Sequence, residues 1–203
     1  MNNQDRPYLQ YSVEDKLLDS ATDLLRSLQT EHSRLMLIRL DCSFKEQYQS
    51  SISIFNISHY LRQLWNNHRH NSIFEHCLGW VWRIEYAEDC QYHAHLLFIY
   101  NGHHVQSDVY YADRIGEYWA NRIAGGEGSY RNCNRHKEEY AHCGIGMIDR
   151  TKTPEKFTNL IRSVLPYLAK ESPLTRQAIQ CDADALGVSA RGLRTFGCSI
   201  LAK

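Results

Sequence analysis

The chain lacks an excess of charge of either sign: 23 basic residues stand against 23 acidic ones in 203 positions. That balance excludes the global positive field of a protein that coats nucleic acid or a membrane surface, while leaving room for an enzyme with a few placed cations. Hydrophobic runs near the roughly 20 residues needed to cross a bilayer are also missing; His95-Leu-Leu-Phe-Ile-Tyr100 has only the length of a strand. Nor is there an even, regular set of cysteines. Seven at irregular spacings do not make a disulfide framework, and Met1-Asn-Asn-Gln-Asp-Arg6 lacks the apolar core of a secretory signal, so the cytoplasm is the expected compartment. No Gly-x-x-x-x-Gly-Lys-Ser/Thr loop is present, which excludes a fused nucleoside-triphosphate-driven helicase of that kind. Repeats and low-complexity tracts are absent.

What remains is a chain that is 43% hydrophobic and long enough to bury one substantial core. Val13, Leu17, Leu18, Ala21, Leu24, Leu25 and Leu28 follow the 3.6-residue rhythm of an amphipathic helix. Arg34-Leu-Met-Leu-Ile-Arg-Leu-Asp41 reads as a strand, apolar on both faces at first, with Arg39 and Asp41 sharing a face near its end. Helices are expected over 58–70 and 107–122, and short strands near 128–133 and 143–149. A further helix opens at Thr153-Pro154 and is interrupted at Pro166, which lacks a donor and crowds the carbonyl of Arg162. The pattern weakens after Lys170. The expected class is α+β: a central antiparallel sheet of about five strands with flanking helices, largely on one face. Three regions follow: an N-terminal helical segment over 1–33, a main unit over 34–170, and a C-terminal appendage of the same domain over 171–203.

The chemistry concentrates in Trp80 to Tyr100. If its two apolar runs pair antiparallel around a turn near Asp89, Glu85 lies opposite His93 and Arg83 opposite His95, all on one face. Trp80, Trp82, Ile84, Ala94, Leu96 and Phe98 occupy the other. Two imidazoles and a carboxylate make a mixed nitrogen and oxygen set suited to a divalent ion acting as a Lewis acid. Half-exposed strand histidines making ordinary hydrogen bonds satisfy the same spacing. A one-residue slip would turn Glu85 away. His68-Arg-His70 repeats the spacing in a polar segment and reads as a solvated helix end. Cys133-Asn-Arg-His136 with His142-Cys143 offers zinc-type ligands but no second paired arm; a strand cysteine with loop histidines is the plainer reading. Tyr167-Leu-Ala-Lys170 places a phenol and an ammonium on one helical face. A nucleophilic phenolate needs such a cation or a metal, because tyrosine titrates near pH 10 in water.

Glu85, then His93-Ala-His95 opening an apolar strand, then a downstream Tyr167-x-x-Lys170, resembles in its order the HUH endonucleases, the rolling-circle replication initiators and relaxases. More narrowly the chain is similar to the YagK/YfjJ family, grouped with inovirus gene-II-type replication proteins and often found in prophages. The residues carrying this likeness are Leu37-Ile-Arg-Leu-Asp41, Tyr92-His-Ala-His95-Leu, Gly128-Ser-Tyr-Arg-Asn-Cys-Asn134, Gly144-Ile-Gly146, Tyr167-Leu-Ala-Lys170 and Arg194-Thr-Phe-Gly197. The resemblance implies a nicking and rejoining endonuclease acting on single-stranded DNA at a replication origin. Glu85, His93 and His95 would hold Mg²⁺ or Mn²⁺, Tyr167 would form a 5′-phosphotyrosine, and Lys170 would offset developing charge. Arg39, Arg83 and Asn134 are the expected nucleic-acid contacts, with Arg135, Lys137 and Arg194 as further candidates. A host helicase is a possible partner; a membrane is not. A prophage-derived DNA-binding regulator without turnover and a metal-dependent phosphodiesterase using water are the competing expectations.

Overall fold

The computed structural model describes residues 13–199; positions 1–12 of the N-terminal segment and 200–203 of the tail lie outside the described residues. In chain order the elements are α1 (Asp15–Glu31), β1 (Arg34–Phe44), a short α2 (Glu46–Gln49) and α3 (Ile54–Asn67), followed by β2 (Cys77–Ala87) and β3 (Gln91–Asn101). Then come α4 (Asp108–Tyr118), β4 (Gly128–Asn132), β5 (Gly146–Asp149), α5 (Pro154–Asn159), α6 (Leu165–Ala169), α7 (Pro173–Leu186) and β6 (Phe196–Cys198). The fold is α+β, with an open antiparallel sheet in the order β4-β1-β3-β2-β6 and β5 also paired to β1.

The sheet has six strands where about five were expected. The addition is β6, drawn from the weakly patterned tail, which pairs with β2 through Val81↔Cys198 and Arg83↔Phe196. Three residues carry too little periodicity to read as a strand before a partner is known.

Helices cover both faces of the sheet, which corrects the one-face expectation. The reason lies in β1 and β3, whose Leu35, Met36, Leu37 and Ile38 and Leu96, Leu97, Phe98 and Ile99 are all fully buried. Strands apolar on both sides must be covered on both. On one face Ile38, Leu40, Ala94, Leu96 and Phe98 meet Ile57, Leu61 and Leu64 of α3 and Ile115 of α4. On the other, Leu35, Leu37, Val81, Leu97 and Ile99 meet Leu24, Leu25 and Leu28 of α1 and Leu160, Leu165 and Leu168 beside or within α5 and α6. Each such side chain contributes about 1.5–3 kcal/mol relative to an exposed one.

Pro166 does not break its helix. Leu160–Val164 forms a π-turn in which Leu165 N–H reaches Leu160 O, and the chain passes without a break from α5 to α6. The wider turn absorbs the donor that proline lacks. That placement aims α6 along the second face toward the point where its apolar residues run out.

Candidate active site

The β2–β3 hairpin turns through Glu88-Asp89-Cys90 with Gln91 at φ +54°, and its register sets Glu85 against His93 and Arg83 against His95. On the far side of β3, His95 pairs with Asp41 of β1. Side-chain alternation therefore gathers Glu85, His93, His95, Arg39 and Asp41 on the face that carries α6.

Glu85 Oε2 lies 3.1 Å from His95 Nε2 and 3.8 Å from His93 Nε2. One ligand atom from each of the three residues falls within 4.8 Å of the others, the geometry of a group able to hold a metal ion. His93 Nδ1 donates to the carbonyl of Gln91 at 3.0 Å, with Cys90 Sγ 3.3 Å from the same nitrogen. His95 Nδ1 donates to Asp41 Oδ1 at 2.6 Å. Both rings thus spend their Nδ1 hydrogens outward and turn Nε2 toward Glu85, the orientation that neighbouring acceptors impose on metal-binding histidines.

His95 carries a carboxylate on each ring nitrogen, and a neutral imidazole has one N–H to give. The arrangement calls for positive charge at Nε2, either a second proton or a cation. Burial pulls the titration of His95 down, but the hydrogen bonds that its imidazolium donates to Asp41 and Glu85 outweigh it and raise it. His93, buried without a comparable partner, titrates below its ordinary value. Burial works against the ionised forms of Glu85 and Asp41. For Glu85, bonds to His95 and Lys170 prevail and hold the carboxyl at about 2; for Asp41, His95 and Arg39 hold it well below the carboxylate range. One carboxylate oxygen and two imidazole nitrogens suit a hard or borderline divalent ion.

Tyr167, on α6, extends over this group. Its ring centre is 5.2 Å from that of His95, and the Arg39 guanidinium and Lys170 ammonium each lie 4.7 Å from it. The Tyr167 and Lys170 side chains meet, although Lys170 is not on the helix: it follows α6 with φ −60° and ψ 141°, bridged to Val13. Lys170 Nζ bonds Glu85 Oε1 at 2.9 Å. Burial raises the Tyr167 phenol, and the opposing pull of Arg39 and Lys170 does not cancel it.

The three expected DNA contacts fare differently. Arg39 lines a cavity beside Tyr167, its side chain 11% exposed. Arg83 is buried, 2% exposed, and reaches Glu14 Oε1 at 3.5 Å. Asn134 is fully occupied within the protein. Its Oδ1 accepts from Arg39 N–H at 2.8 Å, and its Nδ2 donates to Leu37 O at 2.8 Å and Asp108 Oδ2 at 3.1 Å. It fills the gap on β1 between β4 and β5, replacing ladder bonds that no strand supplies, and has no amide atom left for a phosphate. Arg135 and Lys137 pair with Asp113 and Asp108. Arg194 lines a different cavity with Trp65 and Trp82 on the opposite sheet face.

The rejected metal candidates stay apart. His68 stacks edge-on against Trp80 and bonds Trp65 O at 2.6 Å. Cys133 begins a 3₁₀ segment, Cys133–Glu139, where a strand residue was expected. Among the described residues only Glu85, His93 and His95 form a metal-capable group. Asp41 and Cys90 are the additions that sequence reasoning did not place in the site; Asp41 carried a signal, sharing a strand face with Arg39 at a polar strand end. No helix among the described residues is long and apolar enough to span a membrane.

No curated protein and no solved structure matches the chain. The model of the YagK/YfjJ C-terminal domain family matches residues 1–199, and with nearly its whole length covered the chain belongs to that family.

Proposed function

We propose that this protein nicks and rejoins single-stranded DNA at a replication origin, as a rolling-circle-type initiator of the HUH class. The observation that carries the reading is the position of Tyr167: a phenol flanked by two cations, with its ring 5.2 Å from a histidine of the metal-capable group. Glu85, His93 and His95 would hold Mg²⁺ or Mn²⁺, which when bound supplies Lewis-acid polarisation of a phosphate oxygen.

Tyr167 Oη forms the new bond to phosphorus, and the bond from phosphorus to the 3′-oxygen breaks. The phenol proton passes to solvent and the departing 3′-oxygen takes one up, leaving a free 3′-hydroxyl and a 5′-phosphotyrosine. The reverse attack rejoins the strand, because the phosphodiester is exchanged and not hydrolysed. Arg39 and Lys170 offset charge on the phenolate and on the phosphoryl oxygens. Asp41 orients His95. Strand separation falls to a separate helicase, and seven free thiols suit a cytoplasmic setting.

A DNA-binding protein that does not cleave is the second reading, favoured by the Lys170 contact, which satisfies Glu85 Oε1 without a metal ion. The deciding experiment incubates the protein with a labelled pool of single-stranded DNA and Mn²⁺ and resolves it on a denaturing gel. A covalent adduct that disappears in Tyr167→Phe is expected. Released fragments with no adduct would identify water as the nucleophile, and an adduct surviving Tyr167→Phe would overturn the assignment of Tyr167.

A further inference from the structure

The cavity beside Tyr167 holds about 480 Å³ and is bounded by Arg39, Arg131, Tyr140, Ile145, Ser163 and Val164. That volume lies in the lower part of the range of about 300–1,000 Å³ found for small-molecule sites. It shares the Tyr167 wall with the candidate active site but extends away from Glu85 and His93, neither of which lines it. Its composition is uneven. Ile145 and Val164 are buried and apolar, and Tyr140 is half-buried. Positive charge comes from Arg39, close to the Tyr167 ring, and from the exposed Arg131.

These walls offer a phosphate donors in Arg39, Arg131 and Ser163, but most of their surface is apolar, which a phosphate does not use. A planar heterocycle needs apolar or aromatic walls with a few polar atoms, which they do provide. The loop that builds one wall is held tightly against the helix: a side chain at Gly144 would collide with the backbone of Leu160, and Gly146 adopts φ +80°. The wall is therefore preformed.

We infer that this cavity receives one unstacked nucleobase of the single-stranded substrate, next to the phosphate presented to Tyr167, and so contributes to sequence preference. The inference rests on the nucleic-acid part of the proposed function and not on cleavage. Two carboxylates, Asp41 and Glu139, also line the cavity. A carboxylate accepts and cannot donate when ionised, so it favours a base with an exocyclic amino group over thymine, whose N3–H donor lies between two carbonyl oxygens that repel the carboxylate. Thymine alone among the DNA bases lacks such an amino group.

The test selects bound strands from a randomised single-stranded DNA pool on the full-length Tyr167→Phe protein, which removes cleavage from the readout. One position disfavouring thymine by about tenfold is expected, a size typical of a stacked, hydrogen-bonded base. Adding Ser163→Trp, which fills the cavity, or Tyr140→Ala, which removes a wall, should erase that preference while strands are still retained. Ser163→Ala, with an unchanged thermal melt, should preserve it. No positional preference, or the same preference after Ser163→Trp in a protein that melts normally, would overturn the inference. A preference lost with Ser163→Trp, combined with no adduct in the wild type, would sink the nicking reading and leave the base site standing.

Discussion

Lys170 Nζ stands 2.9 Å from Glu85 Oε1, so the residue that caps α6 grips a carboxylate of the central hairpin. The same ammonium is 4.7 Å from the centre of the Tyr167 ring. Lys170 thus couples the two halves of the site, and it competes with any cation for the charge of Glu85.

Replacing Lys170 with Met should therefore separate two effects. Mn²⁺ should bind more tightly, because Glu85 loses its resident counter-charge, while adduct formation on single-stranded DNA slows by roughly 10²-fold or more from the loss of charge beside the phenol. Calorimetric titration together with single-turnover gels measures both. Unchanged Mn²⁺ affinity would refute the competition.

His93→Ala removes one of the three side chains of the metal-capable group and leaves the strand pairing intact. Titrating Mn²⁺ into the wild type should raise its melting temperature; at a hundredfold excess over the dissociation constant the linkage is worth about 2.7 kcal/mol. His93→Ala should show no such rise. A metal-dependent shift of equal size in the variant would place the ion elsewhere.

Asp41→Asn keeps all three ligands and removes the anion that orients His95. Loss of such a partner costs about 10–100-fold in metal affinity. The variant should retain weakened Mn²⁺ binding, in contrast to its loss in His93→Ala, and affinity equal to the wild type would remove Asp41 from the site.

Asn134→Ala should destabilise the fold by about 1–3 kcal/mol, the cost of leaving a buried donor and acceptor on β1 without partners. Urea unfolding would show a lower midpoint with an unchanged slope. Arg39 N–H is one of the freed groups, so adduct formation should also fall at temperatures where the variant is fully folded.

Acid sensitivity should trace in part to Asp108. Burial disfavours its ionised form, but Lys137 and Asn134 overcome this and depress its titration. A carboxyl depressed by folding contributes stability that is complete above its unfolded value of about 4 and is lost as pH falls through the lower folded value. Asp108→Asn should lower stability at pH 7 and flatten its loss below pH 4, as read by urea midpoints across pH. Parallel wild-type and variant curves would exclude Asp108 as a contributor.

The order of residues along β2 and β3 by itself brought out the metal-capable group, given a turn near Asp89. Side chains alternate, so a turn near Asp89 sets Glu85 against His93, whereas a one-residue slip would have turned Glu85 away; the register observed in the fold decides between them. Asp41 at a polar strand end signalled the same face. Tertiary structure alone decided the rest, because those relationships join residues far apart in the chain. Asn134 reads in sequence as a free polar group and in the fold as the stitch across a gap in an edge of β1. Arg83 reads as a DNA contact until burial and its pairing with Glu14 withdraw it from the surface. Three residues near the C-terminus become a strand only because β2 leaves an edge to pair with. Local periodicity fixes which side chains share a face; only packing of distant elements fixes which of them remain open to a substrate.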